Sequence, residues 1–154
     1  MTPKGLLRLK SASSTLRELA EGSFRPILDA DVSDKAAIRR LVFCTGKLYY
    51  DIVGHEAASG AATVAVARIE QLYPFPVDAA RSVIGSYPAL DEIVWAQEEP
   101  QNMGAWRTIR HRLEEAAAGV PVRYVGRPWR ASTAEGYPTA HALEQERIAF
   151  AALS

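Results

Sequence analysis

From residue 39 onward the chain alternates short apolar runs with longer amphipathic stretches, and this rhythm constrains the fold more than any other feature of the sequence. The run 40–44, Arg-Leu-Val-Phe-Cys, ends in Thr45-Gly46 and suits a strand buried on both faces. The spacing then predicts a helix over 47–58, broken at Ser59-Gly60, and a second strand over 63–69. Val77, Ala80, Val83, Ile84 and Tyr87 share one face of a helix over 77–87, which Pro88 stops. A third strand covers 92–98, and a third helix covers 105–118 with Trp106, Ile109, Leu113 and Ala116 aligned and Gly119 as its C-terminal stop. A fourth strand covers 121–125. A polar loop over 126–136 follows, and Pro138 opens a last helix with Leu143, Phe150 and Leu153 on one side. Strands and helices in strict alternation imply an α/β fold of three layers, a mainly parallel sheet with helices on both faces. Right-handed crossovers then bring the carboxyl ends of the strands to one edge.

Residues 1–34 read as a lead-in segment, and 35–154 as the α/β domain. Within the lead-in, Thr15 and Glu18 stand at capping-box spacing ahead of Leu16 and Leu19, so a short helix is expected near 13–21, ended by Gly22. Phe24, Pro26, Ile27 and Leu28 look like a segment lying across something. Met1 leads straight into what reads as protein interior, so the chain is expected to be a piece of something longer.

Eighteen basic residues balance eighteen acidic ones, which argues against a strongly basic nucleic-acid-binding surface. No apolar run approaches the roughly 20 residues that cross a bilayer, and the N-terminus lacks a signal-peptide pattern, so a cytoplasmic, non-membrane location is expected. One cysteine, Cys44, cannot form an internal disulfide, and its apolar neighbours make it inert packing.

Ligands of open parallel sheets bind beyond the carboxyl ends of the strands. Those ends carry Thr45-Gly46-Lys47, Glu70-Gln71, Gln97-Glu98-Glu99 and Gly126-Arg127, so topology gathers Lys47, Gln97 and Arg127 on one rim. A helix start at Gly46-Lys47 favours an anion, and Lys47 and Arg127 would be its partners. Spacing alone does not separate this from solvated loop charges, because neither a dinucleotide fingerprint nor a Walker loop is present. Adjacent Glu98 and Glu99 point to opposite faces of a strand end, which suits structural roles better than shared acid–base work. His55, His111 and His141 fall on three different helices without metal-ligand spacing. Ser82, Ser86 and Ser132 lack a nucleophile elbow. No catalytic, cofactor-binding or metal residue is therefore assigned. Trp129, between Pro128 and Arg130 in the polar loop, is the best aromatic candidate for an interface or ligand contact.

Four stretches carry a specific resemblance: Val-Ala-Arg-Ile-Glu-Gln-Leu-Tyr-Pro-Phe-Pro at 66–76, Trp-Ala-Gln-Glu-Glu-Pro-Gln-Asn-Met-Gly-Ala-Trp at 95–106, Thr-Gly-Lys-Leu-Tyr-Tyr-Asp at 45–51 and Arg-Tyr-Val-Gly-Arg-Pro at 123–128. With the lead-in Pro-Lys-Gly-Leu-Leu-Arg at 3–8, they resemble, in order and over nearly the whole chain, the C-terminal domain of the thiamine-dependent decarboxylating component of 2-oxoglutarate dehydrogenase. The resemblance implies a transketolase C-terminal-like fold. The parent enzyme uses thiamine diphosphate and magnesium to decarboxylate 2-oxoglutarate and hands a succinyl group to a lipoyl-bearing succinyltransferase. Its catalytic and cofactor-binding residues lie in other domains, so this chain alone should bind no cofactor and be inactive. The resemblance further implies a homodimer and an effector site for acetyl-CoA or AMP, matched here by Lys47, Gln97 and Arg127. Some members have two arginines where this chain has Arg127-Pro128, which leaves AMP, or no effector, open beside acetyl-CoA. The alternatives are a freestanding adenine-nucleotide-binding module and, less well supported, a small α/β enzyme with its own active site.

Overall fold

The computed structural model describes residues 3–154; Met1 and Thr2, at the head of the lead-in, lie outside the described residues. A five-stranded sheet forms the middle layer, in the order β1-β3-β2-β4-β5. The strands are β1 (Ile27–Leu28), β2 (Arg40–Cys44), β3 (Val64–Ile69), β4 (Glu92–Pro100) and β5 (Val122–Arg127). β2 pairs in parallel with both β3 and β4, and β4 with β5, whereas β1 lies antiparallel on β3. The segment expected to lie across something is thus an edge strand. Two residues are too short for a period-2 pattern to be visible, which is why sequence periodicity passes over it.

Helices α2 (Lys47–Val53) and α5 (Pro138–Leu153) cover one face, packing Leu48, Ile52, Ile148 and Ala152 on Val42, Val94 and Val125. Helices α3 (Val77–Gly85) and α4 (Trp106–Ala116) cover the other, where Phe43, Trp95, Ile109 and Leu113 are essentially inaccessible. Successive residues of a strand face opposite sides of the sheet, so Trp95 belongs to one core and Val94 and Ala96 to the other. Cys44 is fully buried and free, and burial pushes its thiol pKa up, as its neighbours imply.

Three local readings change. The helix expected over 47–58 breaks after Val53. At Gly54 a Cβ would stand 2.8 Å from the Tyr50 carbonyl, and a separate 3-10 turn, Glu56–Gly60, starts where the His55 Nδ1 accepts the Ala57 N–H at 3.1 Å. On α5, Leu143 and Phe150 point outward, while Ile148, Ala149, Ala152 and Leu153 are buried. Ala149 and Ala152 let the helix sit close to the sheet, with Ile148 and Leu153 filling the core beside them. β4 and β5 both run further than expected, to Pro100 and Arg127. The α4 end comes as read, with Gly119 at φ +99° after Ala118 at +50°.

The lead-in holds α1 (Leu16–Glu21), closed by a full capping box: the Glu18 N–H donates to Thr15 Oγ1, and Glu18 accepts from the Thr15 N–H at 2.7 Å. That hydrogen bonding lowers the Glu18 carboxyl pKa. Gly22 ends the helix. No residue from 3 to 26 is buried, and Leu16, Leu19 and Phe24 stand out into solvent.

Candidate functional site

The connections after β2 and β4 leave toward opposite faces of the sheet, α2 on one side and α4 on the other, and β2 and β4 are neighbours. A crevice at the carboxyl ends of such a pair is where open parallel sheets take ligands. Two groups of residues meet there, one on each face.

On the α3/α4 face, a cleft of about 370 Å³ is lined by Thr45, Tyr73, Trp95, Gln97, Glu99 and Thr108 among others. Gln97, only 3% exposed, organises its wall. Its Oε1 accepts from Trp95 Nε1 at 2.9 Å and from the Trp106 N–H at 3.1 Å. Its Nε2 donates to the carbonyls of Met103, Pro100 and Glu99 at 2.8, 3.1 and 3.2 Å. One amide thereby holds the 99–106 turn against β4 and starts α4.

On the α2/α5 face, the strand ends carry a polar cluster. Arg127, whose side chain is 3% exposed, donates through Nε to Glu135 Oε1 at 3.1 Å, through Nη2 to Gln145 Oε1 at 3.3 Å, and through Nη1 to the Glu98 carbonyl. His141 Nδ1 lies 3.4 Å from the same Nη2. Arg130 closes on Glu135 from the other side. Lys47 meets Asp51 one turn along α2 and has Glu98 Oε1 at 3.7 Å. Gln145 ties the two halves, donating to Glu98 Oε1 and to Asp51 Oδ2, the latter at 3.2 Å. Lys47, Arg127 and Arg130 thus stand against Asp51, Glu98 and Glu135, three positive groups against three negative. Buried charges persist only when paired and hydrogen-bonded, and this cluster meets that condition.

Lys47 and Arg127 therefore share one site, linked through Glu98 and Gln145. Gln97 sits on the same rim but turns to the opposite face, and the polar groups around it fill its hydrogen-bonding capacity. The three residues share the rim but divide between its two faces for a geometric reason: Gln97 and Glu98 are consecutive on a strand, so only Glu98 can face the Lys47–Arg127 cluster. Glu98 and Glu99 diverge as read. Among the histidines, His111 is exposed on α4, His55 caps a turn, and His141 reaches Arg127. Trp129 is 67% exposed in the loop after β5. Sequence reading passed over Asp51, Arg130, Glu135 and Gln145. Only the Lys47–Asp51 spacing of four on one helix signals a pairing in advance.

This architecture, a mainly parallel sheet with a polar rim at the crevice between oppositely wound halves, is a transketolase-like α/β fold. A solved split-gene transketolase, described as an inactive beta4 tetramer, superposes with a TM-score of 0.59 over 84% of this chain and 42% of that one, at 17% identity, a likeness of fold alone. The family described as 2-oxoglutarate dehydrogenase C-terminal matches residues 13–153, and the chain belongs to that family. Relatives include 2-oxoglutarate dehydrogenase E1 components from Azotobacter vinelandii (44% identical, 96% of this chain and 16% of that protein) and Bacillus subtilis (47%, with the same coverages). Another, from Exiguobacterium sp., is 46% identical over 100% of this chain and 17% of its own length. The chain spans about one sixth of these relatives.

Proposed function

We propose that this chain serves a 2-oxoglutarate dehydrogenase E1 component as a non-catalytic C-terminal domain, contributing to a homodimer and offering an anionic effector a seat at the Lys47–Arg127 cluster. The observation that carries the effector half is the convergence of Lys47 and Arg127, from two different elements, at the carboxyl end of the sheet. Acetyl-CoA and AMP are the two candidates, both presenting phosphoryl groups that arginine forks and ammonium groups recognise. Gln97 would shape the neighbouring cleft rather than touch the effector.

The parent enzyme would decarboxylate 2-oxoglutarate with thiamine diphosphate and magnesium and pass a succinyl group to a lipoyl-bearing partner, in the cytoplasm. Among the described residues, no group of three or more His, Cys, Asp or Glu side chains could hold a metal ion. That chemistry would belong to the rest of the enzyme. Among the described residues, no helix is long and apolar enough to cross a membrane.

The isolated chain, given 2-oxoglutarate, thiamine diphosphate and magnesium, should release no carbon dioxide; measurable release overturns the non-catalytic reading. Calorimetric titration with AMP and acetyl-CoA, repeated on Lys47→Ala and Arg127→Ala, tests the effector seat, with at least a tenfold loss expected in each folded variant. A freestanding adenine-nucleotide-binding module would show the same titration with no larger enzyme to regulate, and co-purification with the other E1 domains separates the two.

A further inference from the structure

The loop that follows β5 is held at two points. Asn102 pairs with the Arg130 backbone, donating to its carbonyl at 3.0 Å and accepting its N–H at 3.2 Å. The other point is Glu135: along 128–139 only Arg130 and Glu135 are partly covered, and residues 131–134 between the two anchors are all exposed. The Glu135 side chain is 16% exposed, and its carboxylate sits between two guanidinium groups, Arg127 within the protein and Arg130 at its margin. We propose that this carboxylate is a built-in occupant of an anion seat, and that the 131–136 loop is a strap which a phosphoryl group must displace to bind. The inference rests on the effector reading above and adds its regulation.

Charge balance decides what the seat can hold. With Glu135 in place, the cluster's three positive groups meet three carboxylates and offer no surplus attraction. Withdraw it, and a deeply buried guanidinium loses its counter-charge, a state that a protein avoids at considerable cost. The seat must therefore hold an anion in either state, and the anion alone changes. A carboxylate tethered eight residues from its arginine acts at an effective concentration on the order of millimolar or above. A free carboxylate carries the same single charge and cannot displace it economically. A phosphoryl dianion brings a second charge and a third acceptor oxygen to the donors that Glu135 now occupies, Arg127 Nε and the Arg130 guanidinium, so it is the ligand chemistry able to compete.

The test compares the full chain with Glu135→Gln, which keeps the size and one acceptor oxygen but removes the charge. Both are titrated calorimetrically with pyrophosphate and with AMP at constant ionic strength, after thermal melts establish that each is folded. Pyrophosphate should bind Glu135→Gln at least tenfold more tightly than the native chain, and adding Arg130→Gln should abolish the gain. Equal pyrophosphate affinities, or no binding by the folded Glu135→Gln variant, overturn the strap. AMP bound equally well by both chains also overturns it while leaving the nucleotide reading intact. A tenfold gain for pyrophosphate with no binding of AMP to either chain upholds the strap and removes the nucleotide reading.

Discussion

Gly126 sits in the Arg-Tyr-Val-Gly-Arg-Pro stretch because the backbone there passes under a side chain and beside a neighbouring strand. A Cβ at this position would lie 2.2 Å from Tyr124 Oη and 2.7 Å from the Gln97 carbonyl oxygen. Tyr124 is itself committed, its hydroxyl near the carbonyls of Glu99 at 2.8 Å and Arg127 at 2.9 Å, and partial burial keeps its pKa up at about 12. Gly126→Ala should therefore destabilise the chain by about 1–3 kcal/mol, the usual range for overpacking, read from urea unfolding midpoints. Glu92 gives a pH signature. Partial burial pushes its carboxyl up, but hydrogen bonds and charge from Arg123 and Arg40 outweigh that and leave its pKa lowered. A depressed folded-state pKa contributes stability above the unfolded value of about 4.3, and the contribution disappears as pH falls through the lower folded value. Glu92→Gln should lose stability relative to the native chain at neutral pH, with the gap narrowing as pH drops below about 4. A gap that stays constant from pH 7 to pH 3 in chemical denaturation would contradict the assignment.

At the scale of elements, α5 buries two alanines against the sheet while a leucine and a phenylalanine face outward. Ala149 and Ala152 are 2% and 0% exposed, whereas Leu143 and Phe150 are 67% and 52% exposed. Close approach to the sheet requires the alanines, since a core at crystal-like density has no room for added methylenes. Ala152→Leu is expected to cost about 1–3 kcal/mol by forcing the helix off β4 and β5. Leu143→Ser should change the thermal midpoint little. Comparable losses from both would mean that Leu143 has a buried role in solution. α1 is the opposite case, a helix with a complete cap and no buried residue, whose local hydrogen bonding is satisfied although its apolar side chains find no cover in this chain.

For the molecule as a whole, that uncovered surface matters most. Leu7, Leu16, Leu19 and Phe24 are between 69% and 85% exposed, all within the lead-in. Concentrated exposed apolar surface is characteristic of faces that meet a partner. The isolated chain is expected to self-associate at high concentration, seen as concentration-dependent sedimentation. Replacing Leu16, Leu19 and Phe24 with serine should shift it toward monomer without altering the unfolding midpoint by more than a few degrees. A strictly monomeric native profile would count against an apolar assembly surface here.

The order of strands and helices, the parallel sheet, the capping box at Thr15 and the inert Cys44 were legible in the sequence because each follows from local periodicity, spacing or immediate neighbours. The same holds for the family, carried by four stretches of contiguous residues. Strand β1 was not legible, since two residues carry no period and its pairing with β3 is made some forty positions away. Nor could spacing show that Gln97 would turn from Lys47 and Arg127, or that Glu135 and Gln145 would meet Arg127. Local sequence fixes which way a side chain alternates and how a helix begins. Which distant side chains then neutralise a buried charge is decided only when the layers close, because the partners come from separate elements and the low-polarity interior makes their pairing obligatory.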